Sequence, residues 1–157
     1  EEAGTSILGY PVIGTDADLD KIALSYRYFH IALGFIGSPA KRIAIWERLL
    51  GLGVEIPVLI SPLAYVSKYA RIGAGTVVMH QAVVNASAEV GKNVIINTKA
   101  LIEHDAVVGD QSHIATGAII NGGVKIGYGS FVGSGAVTRQ GVIVPDNSFI
   151  KANSTVK

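Results

Sequence analysis

The sequence predicts a mainly β protein in which short strands wind into a prism-like parallel coil. Every sixth position from Ile60 to Val156 is aliphatic except Thr138, and the fifth position of each six-residue unit is small, most often alanine. A period of six matches neither a helix face nor a plain strand, so it must come from successive turns of a coil. Two inward positions in every unit fit a three-sided prism, in which three consecutive units make one coil.

Residues 1–58 do not follow this period and predict a small α/β, Rossmann-like segment that is truncated at its N-terminus. Asp16 is the expected N-cap of a short helix through Lys21–Ala23, and Phe29–Phe35 has the composition of a buried strand. We therefore divide the chain into an α/β segment, residues 1–58, and a coil, residues 59–157.

A second helix is predicted to begin at Ser38-Pro39, where a capping residue precedes a proline in the first turn. Ile43, Trp46 and Leu50 recur at helical spacing and would form its apolar face. Gly51 and Gly53 end the pattern. Together with the coil, this helix completes a predicted architecture of one α/β segment beside one solenoid.

Glycines are placed at two kinds of position. The loop Gly34–Ser38 lies between the predicted strand and helix, where free backbone N–H groups could bind phosphate, although two glycines there more often serve turn geometry. Gly73, Gly91, Gly109 and Gly127 recur once in every coil, at each third unit. This second set predicts one corner of the coil that needs a permissive backbone angle.

The end coils expose strand edges, and the α/β segment could cover one of them.

Composition excludes several classes of function. The net charge of +1 provides no field that would attract nucleic acid or an anionic membrane, so neither is an expected partner. The chain has no cysteine, which removes disulfides and thiolate chemistry and suits a cytoplasmic location. No apolar run is long enough to span a bilayer. The start at Glu1-Glu2-Ala3 shows no export signal.

His104 is the first candidate for catalysis. Because residue n lies above residue n−18, the outward-pointing His104 has Ala86 beneath it and Gly122 above it, in a notch that a ligand could reach. Asp105 is the preferred carboxylate to bind one ring nitrogen, with Glu103 second. Such a bond raises the pKa of the imidazole and leaves the other nitrogen free as a general base.

The other histidines are placed differently. His113 is half a coil away from His104, so the two can share a site only across a subunit boundary, as a trimer of prisms would allow. A lone outward histidine is usually a solvated surface residue, but the small residues and carboxylates around His104 favour catalysis. His80 and His30 are interpreted as structural residues.

The sequence resembles the hexapeptide-repeat acyltransferases, in particular the branch of sialic-acid O-acetyltransferases and N-acetyltransferases of nucleotide-linked 4-amino sugars. The matching runs are distributed along most of the chain: residues 9–14, 61–64, 102–117, 122–127 and 131–136. The resemblance implies a left-handed parallel β-helix that assembles as a homotrimer with active sites between subunits. It also implies that residues 1–58 are part of a sugar-nucleotide-binding segment.

The resemblance further implies roles for individual residues. His104 matches the general base, and Asp105 matches the acidic residue that increases its basicity. The other matched positions bind acetyl-CoA: His113, Gly122, Ser134 and Ala152. The implied reaction is direct acetyl transfer from acetyl-CoA to a 4-amino sugar in bacterial surface-glycan biosynthesis, without an acyl-enzyme and without a metal.

The resemblance is incomplete at both ends. The family's N-terminal glycine-rich strand-loop and its C-terminal tail have no counterpart here, so we expect the sequence to be a fragment of a longer gene product.

Three alternatives remain open. The acceptor could be a hydroxyl of sialic acid or a related sugar. The coil could belong to a zinc enzyme like the γ-type carbonic anhydrases, although the spacing of the coil histidines does not match that site. It could also be a non-catalytic trimeric scaffold.

Overall fold

A computed structural model describes residues 3–157 as a short N-terminal segment followed by a parallel β-solenoid. The predicted mainly β fold is therefore confirmed, while its left-handed winding stays a prediction. Glu1 and Glu2, at which we predicted no export signal, lie outside the described residues. None of the helices within residues 3–157 is long and apolar enough to cross a membrane.

The N-terminal segment contains a hairpin, two short helical elements and one longer helix. Strands β1 (Ser6–Ile7) and β2 (Tyr10–Pro11) pair antiparallel. A 3-10 turn, Asp16–Asp18, leads into helix α1 (Leu19–Ala23), and helix α2 spans Ala40–Gly51. Helix α2 begins one residue later than predicted, with Pro39 rather than Ser38 at its N-cap, and the Ser38 hydroxyl accepts a hydrogen bond from the Ala40 N–H at 3.2 Å.

The predicted N-cap at Asp16 is wrong, because Asp16 lies inside the 3-10 turn and Asp18 is the N-cap of α1. Thr15 occupies the N-cap position of that turn. Its N–H and its hydroxyl both donate to the Asp18 carboxylate at 2.9 Å. These bonds lower the pKa of Asp18, first through the backbone donor and then through the hydroxyl.

The predicted strand Phe29–Phe35 is also wrong. These residues form no strand, and the β bridge beside them joins Tyr28 to Glu55. Their carbonyls have a different partner, because the Arg42 guanidinium donates to the carbonyls of Ile31 and Leu33 at 2.6 and 2.8 Å. A side chain thus takes the place of a neighbouring strand.

The buried face of α2 differs from the predicted one. Arg42, Trp46 and Leu49 are buried, whereas Leu50 is 52% exposed. Leu49 and Trp46 pack with Ile31 and Ile56 in a small apolar cluster separate from the core of the coil. The helix therefore turns a mixed polar and apolar face inward, which apolar spacing alone could not reveal.

The coil has three faces, and each of its strands is two residues long. Face 1 contains Leu59–Ile60, Val77–Val78, Ile95–Ile96, His113–Ile114, Phe131–Val132 and Phe149–Ile150. Face 2 contains Tyr65–Val66, Val83–Val84, Leu101–Ile102, Ile119–Ile120, Val137–Thr138 and Thr155–Val156. Face 3 contains Arg71–Ile72, Glu89–Val90, Val107–Val108, Lys125–Ile126 and Ile143–Val144.

Adjacent coils pair in the predicted register, one coil apart along the sequence. Ile102, for example, pairs with Val84 below and Ile120 above, and all three are fully buried. The second residue of each strand points into the prism and the first points outward. The six-residue series therefore forms the core of the coil.

Three corners join the faces, and the third residue of each unit stacks at a corner. The first corner, after face 1, carries His80, Thr98, Thr116, Ser134 and Ala152. The second corner, after face 2, carries Lys68, Ala86, His104, Gly122 and Gln140. The third corner, after face 3, carries Ala74, Lys92, Asp110, Tyr128 and Asp146. Face 2 therefore lies between the first and second corners.

The explanation predicted for the glycines at 73, 91, 109 and 127 is wrong. None of them has a left-handed φ. A Cβ at Gly73 would lie 2.6 Å from the carbonyl of Gly91, and one at Gly109 would lie 2.7 Å from the Tyr128 nitrogen. These positions need glycine because the backbones of adjacent coils approach each other there. Left-handed φ values instead occur at the fourth residue of each unit, from Gly75 (71°) to Asn153 (55°).

The N-terminal segment packs against the side of the coil. The Phe35 carbonyl bonds to His113 on face 1, and Arg42 Nε lies 3.4 Å from the Asn93 carbonyl. Ile60, at the start of the coil, stays 47% exposed. The suggestion that this segment covers the coil end is thus wrong, because it packs along the side of the coil, against face 1 and, through Trp46, against Gly75 at the third corner.

Candidate functional site

His104 and Asp105 form a close pair at the second corner. His104 Nδ1 lies 2.8 Å from Asp105 Oδ2, and the two side chains are 58% and 64% exposed. Since a carboxylate only accepts, Nδ1 carries the hydrogen and Nε2 is left with its lone pair. The predicted contact between the two residues is present, while the catalytic role of each remains a prediction.

Backbone geometry explains why Asp105 rather than Glu103 reaches the ring. Asp105 has a left-handed φ of 60°, which turns its short side chain back toward His104. Glu103 instead accepts a hydrogen bond at 2.8 Å from the amide of Asn85, which lies one coil below it. Glu103 also lies 3.3 Å from the His104 backbone nitrogen. It therefore contributes charge near the imidazole without binding its nitrogens.

These carboxylates raise the pKa of His104 above its ordinary value. The hydrogen bond to Asp105 is the largest cause, and the charges of Asp105 and Glu103 act in the same direction. Partial desolvation of the ring is the one effect that lowers this pKa, and it is smaller than the effect of the hydrogen bond to Asp105. A histidine in this setting accepts a proton more readily than a free imidazole.

Gly122 lies directly over the imidazole. A Cβ at this position would be 2.8 Å from both Cε1 and Nε2 of His104, so the absence of a side chain opens the space beside the basic nitrogen. The Gly122 N–H donates to no acceptor among residues 3–157. A free N–H beside a basic nitrogen can stabilise negative charge that develops on a bound carbonyl.

Thr138, the one exception in the aliphatic series, holds the residue before Gly122. Thr138 is fully buried, and its hydroxyl accepts a hydrogen bond from the Asn121 N–H at 3.0 Å. The Asn121 side chain donates to the Thr138 carbonyl at 2.6 Å. Face 2 accordingly lacks the pairing of Ile120 with Thr138 that the register would give. A side-chain exchange thus replaces one rung of the ladder next to Gly122.

His113 is placed apart from His104, as predicted, since its side chain lies on the outside of face 1. It is 8% exposed and packs edge-on against the rings of Phe35 and Phe131, with centroids 5.6 and 5.2 Å away. Nδ1 donates to the Phe35 carbonyl at 2.8 Å, and Nε2 lies 3.2 Å from the amide nitrogen of Asn97. Burial lowers the pKa of His113, so the ring is neutral. Its contact with acetyl-CoA stays a prediction.

Ser134 and Ala152 stack one above the other at the first corner. Both are exposed, and the Ser134 carbonyl accepts a hydrogen bond from the Asn153 N–H at 2.9 Å. They lie on the His113 side of face 2, whereas Gly122 lies on the His104 side. The predicted site residues therefore form two groups on one chain, at the two corners that border face 2.

Several polar contacts near these groups were not predicted. Asn97 binds His113, and the buried Arg42 supports the segment that covers His113. His80, which we interpreted as structural, is exposed, and its Nδ1 lies 2.6 Å from the Ser61 hydroxyl. The repeat could have revealed His80, because it occupies the third position of its unit just as His104 does.

Two further predictions concern ligands. The loop Gly34–Ser38 contributes the Phe35 carbonyl to His113 and the Ser38 hydroxyl to α2. Phosphate binding by this loop stays the less favoured interpretation, after turn geometry. Within residues 3–157, no three histidine, cysteine or carboxylate side chains are grouped closely enough to hold a metal ion.

Solved structures of acetyltransferases resemble this chain over its whole length. The acetyltransferase domain of PglB from Neisseria gonorrhoeae FA1090 is 35% identical, with a TM-score of 0.92 over 100% of this chain and 76% of that chain. The same domain in complex with acetyl coenzyme A has a TM-score of 0.86 at 35% identity, over 99% of this chain and 76% of that chain.

A more distant structure shares the fold and carries two ligands. A mutant of GDP-perosamine N-acetyltransferase from Caulobacter crescentus, in complex with CoA and GDP-perosamine, is 26% identical. Its TM-score is 0.74 over 91% of this chain and 75% of that chain. No protein-family model and no curated protein sequence matches this chain.

Proposed function

Because the chain belongs to the hexapeptide-repeat sugar acetyltransferases, we propose that it transfers the acetyl group of acetyl-CoA to the amine of a nucleotide-linked 4-amino sugar. The observation that carries this proposal is the 2.8 Å contact between His104 and Asp105 beneath the free N–H of Gly122. It joins a base, its orienting carboxylate and an oxyanion donor around one open space.

The proposed reaction is a direct transfer. His104 Nε2 removes a proton from the sugar amine as the amine nitrogen attacks the thioester carbonyl, and the Gly122 N–H donates to the oxygen that becomes negative. The new C–N bond forms, the C–S bond breaks, and the proton on His104 passes to the departing thiolate of CoA. Asp105 stabilises the protonated imidazole throughout. General-base assistance of this kind contributes about 10²–10⁴-fold to the rate.

We also propose that the chain assembles as a homotrimer whose interface is face 2. Its outward side chains Val83, Leu101, Ile119 and Val137 are apolar and partly exposed. Face 1 is covered by the N-terminal segment, and face 3 carries the solvated pair Arg71 and Glu89 at 3.0 Å. Face 2 is thus the apolar face that the described residues leave uncovered.

Such an interface would complete the active site. We consider three parallel copies arranged around one axis, with face 2 of each copy turned toward that axis. In this ring the first corner of one chain lies beside the second corner of the next. His104 and Gly122 of one protomer would then face Ser134 and Ala152 of its neighbour. This arrangement brings together the two groups of site residues that one chain holds apart.

The assembly can be tested with Ile119→Asp, which places a carboxylate in the centre of face 2. We expect light scattering to show a trimer for the unaltered protein and a monomer for the variant, because a buried unpaired charge costs more than the contact provides. Acetyl transfer should fall with the trimer. Circular dichroism should be unchanged, because the side chain of Ile119 points out of the coil.

Lys125→Asp is the matched control, since Lys125 is exposed on face 3 of the same coil. It should remain trimeric and active. A monomeric Ile119→Asp protein with full activity would show that each site is built from one chain.

The pKa of His104 makes a second prediction. Only the neutral imidazole accepts a proton, so kcat/KM should rise with pH and reach half its plateau above the ordinary histidine value of about 6.5. Asp105→Asn removes the main cause of the raised pKa, so the half-plateau point should move to lower pH while the plateau itself falls. Asparagine tolerates the left-handed φ of 60°, which keeps the backbone effect small.

Glu103→Gln is the comparison variant, with a smaller shift in the same direction, because Glu103 acts only through its charge. The titration of the amine acceptor is common to all three proteins and cancels in the comparison. An unchanged profile in Asp105→Asn would contradict the pairing.

Acetyl transfer by the unaltered protein tests the reaction itself. Release of free CoA thiol and the mass of the product would be measured with a nucleotide-linked 4-amino sugar, and in parallel with sialic acid as a hydroxyl acceptor. We expect a product heavier by one acetyl group only with the amine. Acetylation of sialic acid instead would show that the protein is an O-acetyltransferase. The absence of any product would contradict the proposed acetyl transfer.

A further inference from the structure

His80 is a solvent-exposed hydrogen-bond donor fixed at the first corner. Its Nδ1 lies 2.6 Å from the Ser61 hydroxyl oxygen, which also accepts a hydrogen bond from the Leu63 N–H at 3.1 Å. When the serine hydroxyl donates its hydrogen to Nδ1, the histidine's own hydrogen is on Nε2. The proposed acetyl transfer has no use for this pair, yet it orients an N–H toward solvent.

The position of His80 along the coil relates it to the reacting centre. In the proposed ring, the first corner of one chain lies beside His104 of the next. His80 precedes His104 by one and a third coils, which at about 4.8 Å per coil places it about 6 Å nearer the N-terminal end. Ser134 and Ala152, which are predicted to bind acetyl-CoA, lie on the C-terminal side of the level of His104. Acetyl-CoA and its acceptor must therefore approach from opposite ends, and His80 is at the acceptor's end.

The size of a 4-amino sugar fits this spacing. Its amine and its anomeric oxygen lie at opposite ends of the pyranose ring, and the distance from His104 to the level of His80 is comparable with the width of that ring. When the amine is at His104, the anomeric oxygen and the phosphate attached to it reach the level of His80. Met79, beside His80, lines a cavity of about 310 Å³ under the N-terminal segment.

Charge also favours a phosphate at this corner. The stacked positions of the first corner carry no carboxylate, whereas the third carries Asp110 and Asp146. Lys99 follows the first corner one coil above His80, is exposed, and donates its backbone N–H to the His80 carbonyl at 3.0 Å. An anion bound to His80 would thus have a lysine on the next coil and no carboxylate among the stacked positions of its own corner.

We propose that His80, oriented by Ser61, binds the sugar-linked phosphate of the nucleotide-sugar acceptor. This inference rests on the proposed function and assigns to it a residue for the acceptor's diphosphate. The interaction is made equally before and during acetyl transfer, so it contributes to KM for the acceptor and leaves kcat nearly unchanged.

The test measures His80→Ala with two acceptors: GDP-perosamine or a UDP-linked 4-amino sugar, whichever the unaltered protein uses, and the methyl glycoside of the same amino sugar. We expect KM for the nucleotide sugar to rise about tenfold or more, as for loss of a hydrogen bond to a charged group. The values of kcat and of KM for acetyl-CoA should change less than threefold. KM for the methyl glycoside, which lacks phosphate, should not change.

Matched variants separate orientation from binding. Ser61→Ala should raise KM for the nucleotide sugar by a smaller factor, because it releases the ring without removing it. Lys92→Ala, at the third corner, should leave KM unchanged. His80→Gln, examined by calorimetric binding of the nucleotide sugar, tests the same contact if the alanine variant does not fold.

The outcomes distinguish this inference from the proposed function. An unaltered protein that acetylates neither nucleotide sugar contradicts the proposed function, and the inference with it. An active protein in which His80→Ala leaves KM for the nucleotide sugar unchanged overturns the inference alone. Equal losses with the nucleotide sugar and the methyl glycoside also overturn it, because they would place the contact on the sugar ring.

Discussion

Replacing His104 with alanine is expected to lower kcat for acetyl transfer by about 10²–10⁴-fold, the usual contribution of a general base. The side chain is 58% exposed and packs under a glycine, so its removal leaves no buried cavity and the fold should be retained. Binding of acetyl-CoA should also be retained, because the loss falls on the proton transfer. Steady-state kinetics, circular dichroism and calorimetric titration with acetyl-CoA would measure these three quantities.

Lys68→Ala is the control for this variant, since Lys68 is exposed at the same corner two coils below His104. It should keep normal activity. A His104→Ala protein that transfers acetyl groups at near-normal rate would show that the assignment of the base is wrong. An unaltered protein with no transfer to any acceptor would instead favour the scaffold alternative.

Gly122→Ala is expected to lower kcat by about 100-fold or more, because a displacement of about 1 Å at the reacting groups is enough for such a loss. The new methyl group would lie 2.8 Å from Nε2 of His104, so the ring must move away from its present position. The ring is exposed and free to move, so the free energy of unfolding should change little. Kinetics together with urea unfolding would measure both effects.

Gly123→Ala is the matched control, and the opposite result is expected. A Cβ at Gly123 meets no atom within 4 Å, but the residue has a φ of 67°. Alanine there should cost about 1 kcal/mol of unfolding free energy through left-handed strain, with at most a few-fold change in kcat. Equal effects of the two substitutions on activity would contradict a specific clash with His104.

The part of the site that repeats could be predicted from the sequence. A fixed register of three units per coil placed Gly122 over His104 and sent His113 to another face, because the backbone ladder forces equivalent residues into columns. Adjacency in sequence offered both Glu103 and Asp105 as partners of His104, and the preferred one, Asp105, makes the contact. In a periodic structure the register of one coil applies to every coil, so the residues that stack on one another can be predicted from the sequence.

The part that could not be predicted consists of contacts made only once. The bond from His113 to the Phe35 carbonyl spans 78 residues and follows no period. Arg42 is buried and donates to the carbonyls of Ile31 and Leu33, so a side chain binds the segment that was predicted as a strand. The spacing of apolar residues cannot predict a buried arginine. The cost of burying the guanidinium is offset by acceptors that lie elsewhere in the chain. The N-terminal segment was therefore predicted less accurately than the coil.

At Asp105 the stability of the fold and the proposed activity favour different residues, because the φ there is left-handed. Every unit of the coil from Gly75 onward has a left-handed position, and glycine occupies it at 117 and 123 without steric cost. Aspartate is a poorer choice for folding, so selection for a stable coil alone would favour glycine at 105 and remove the carboxylate. A homologue that no longer needs a basic His104 would gain stability from glycine at position 105. Replacement of Asp105 by glycine is therefore the expected sequence sign that such a homologue has lost the activity.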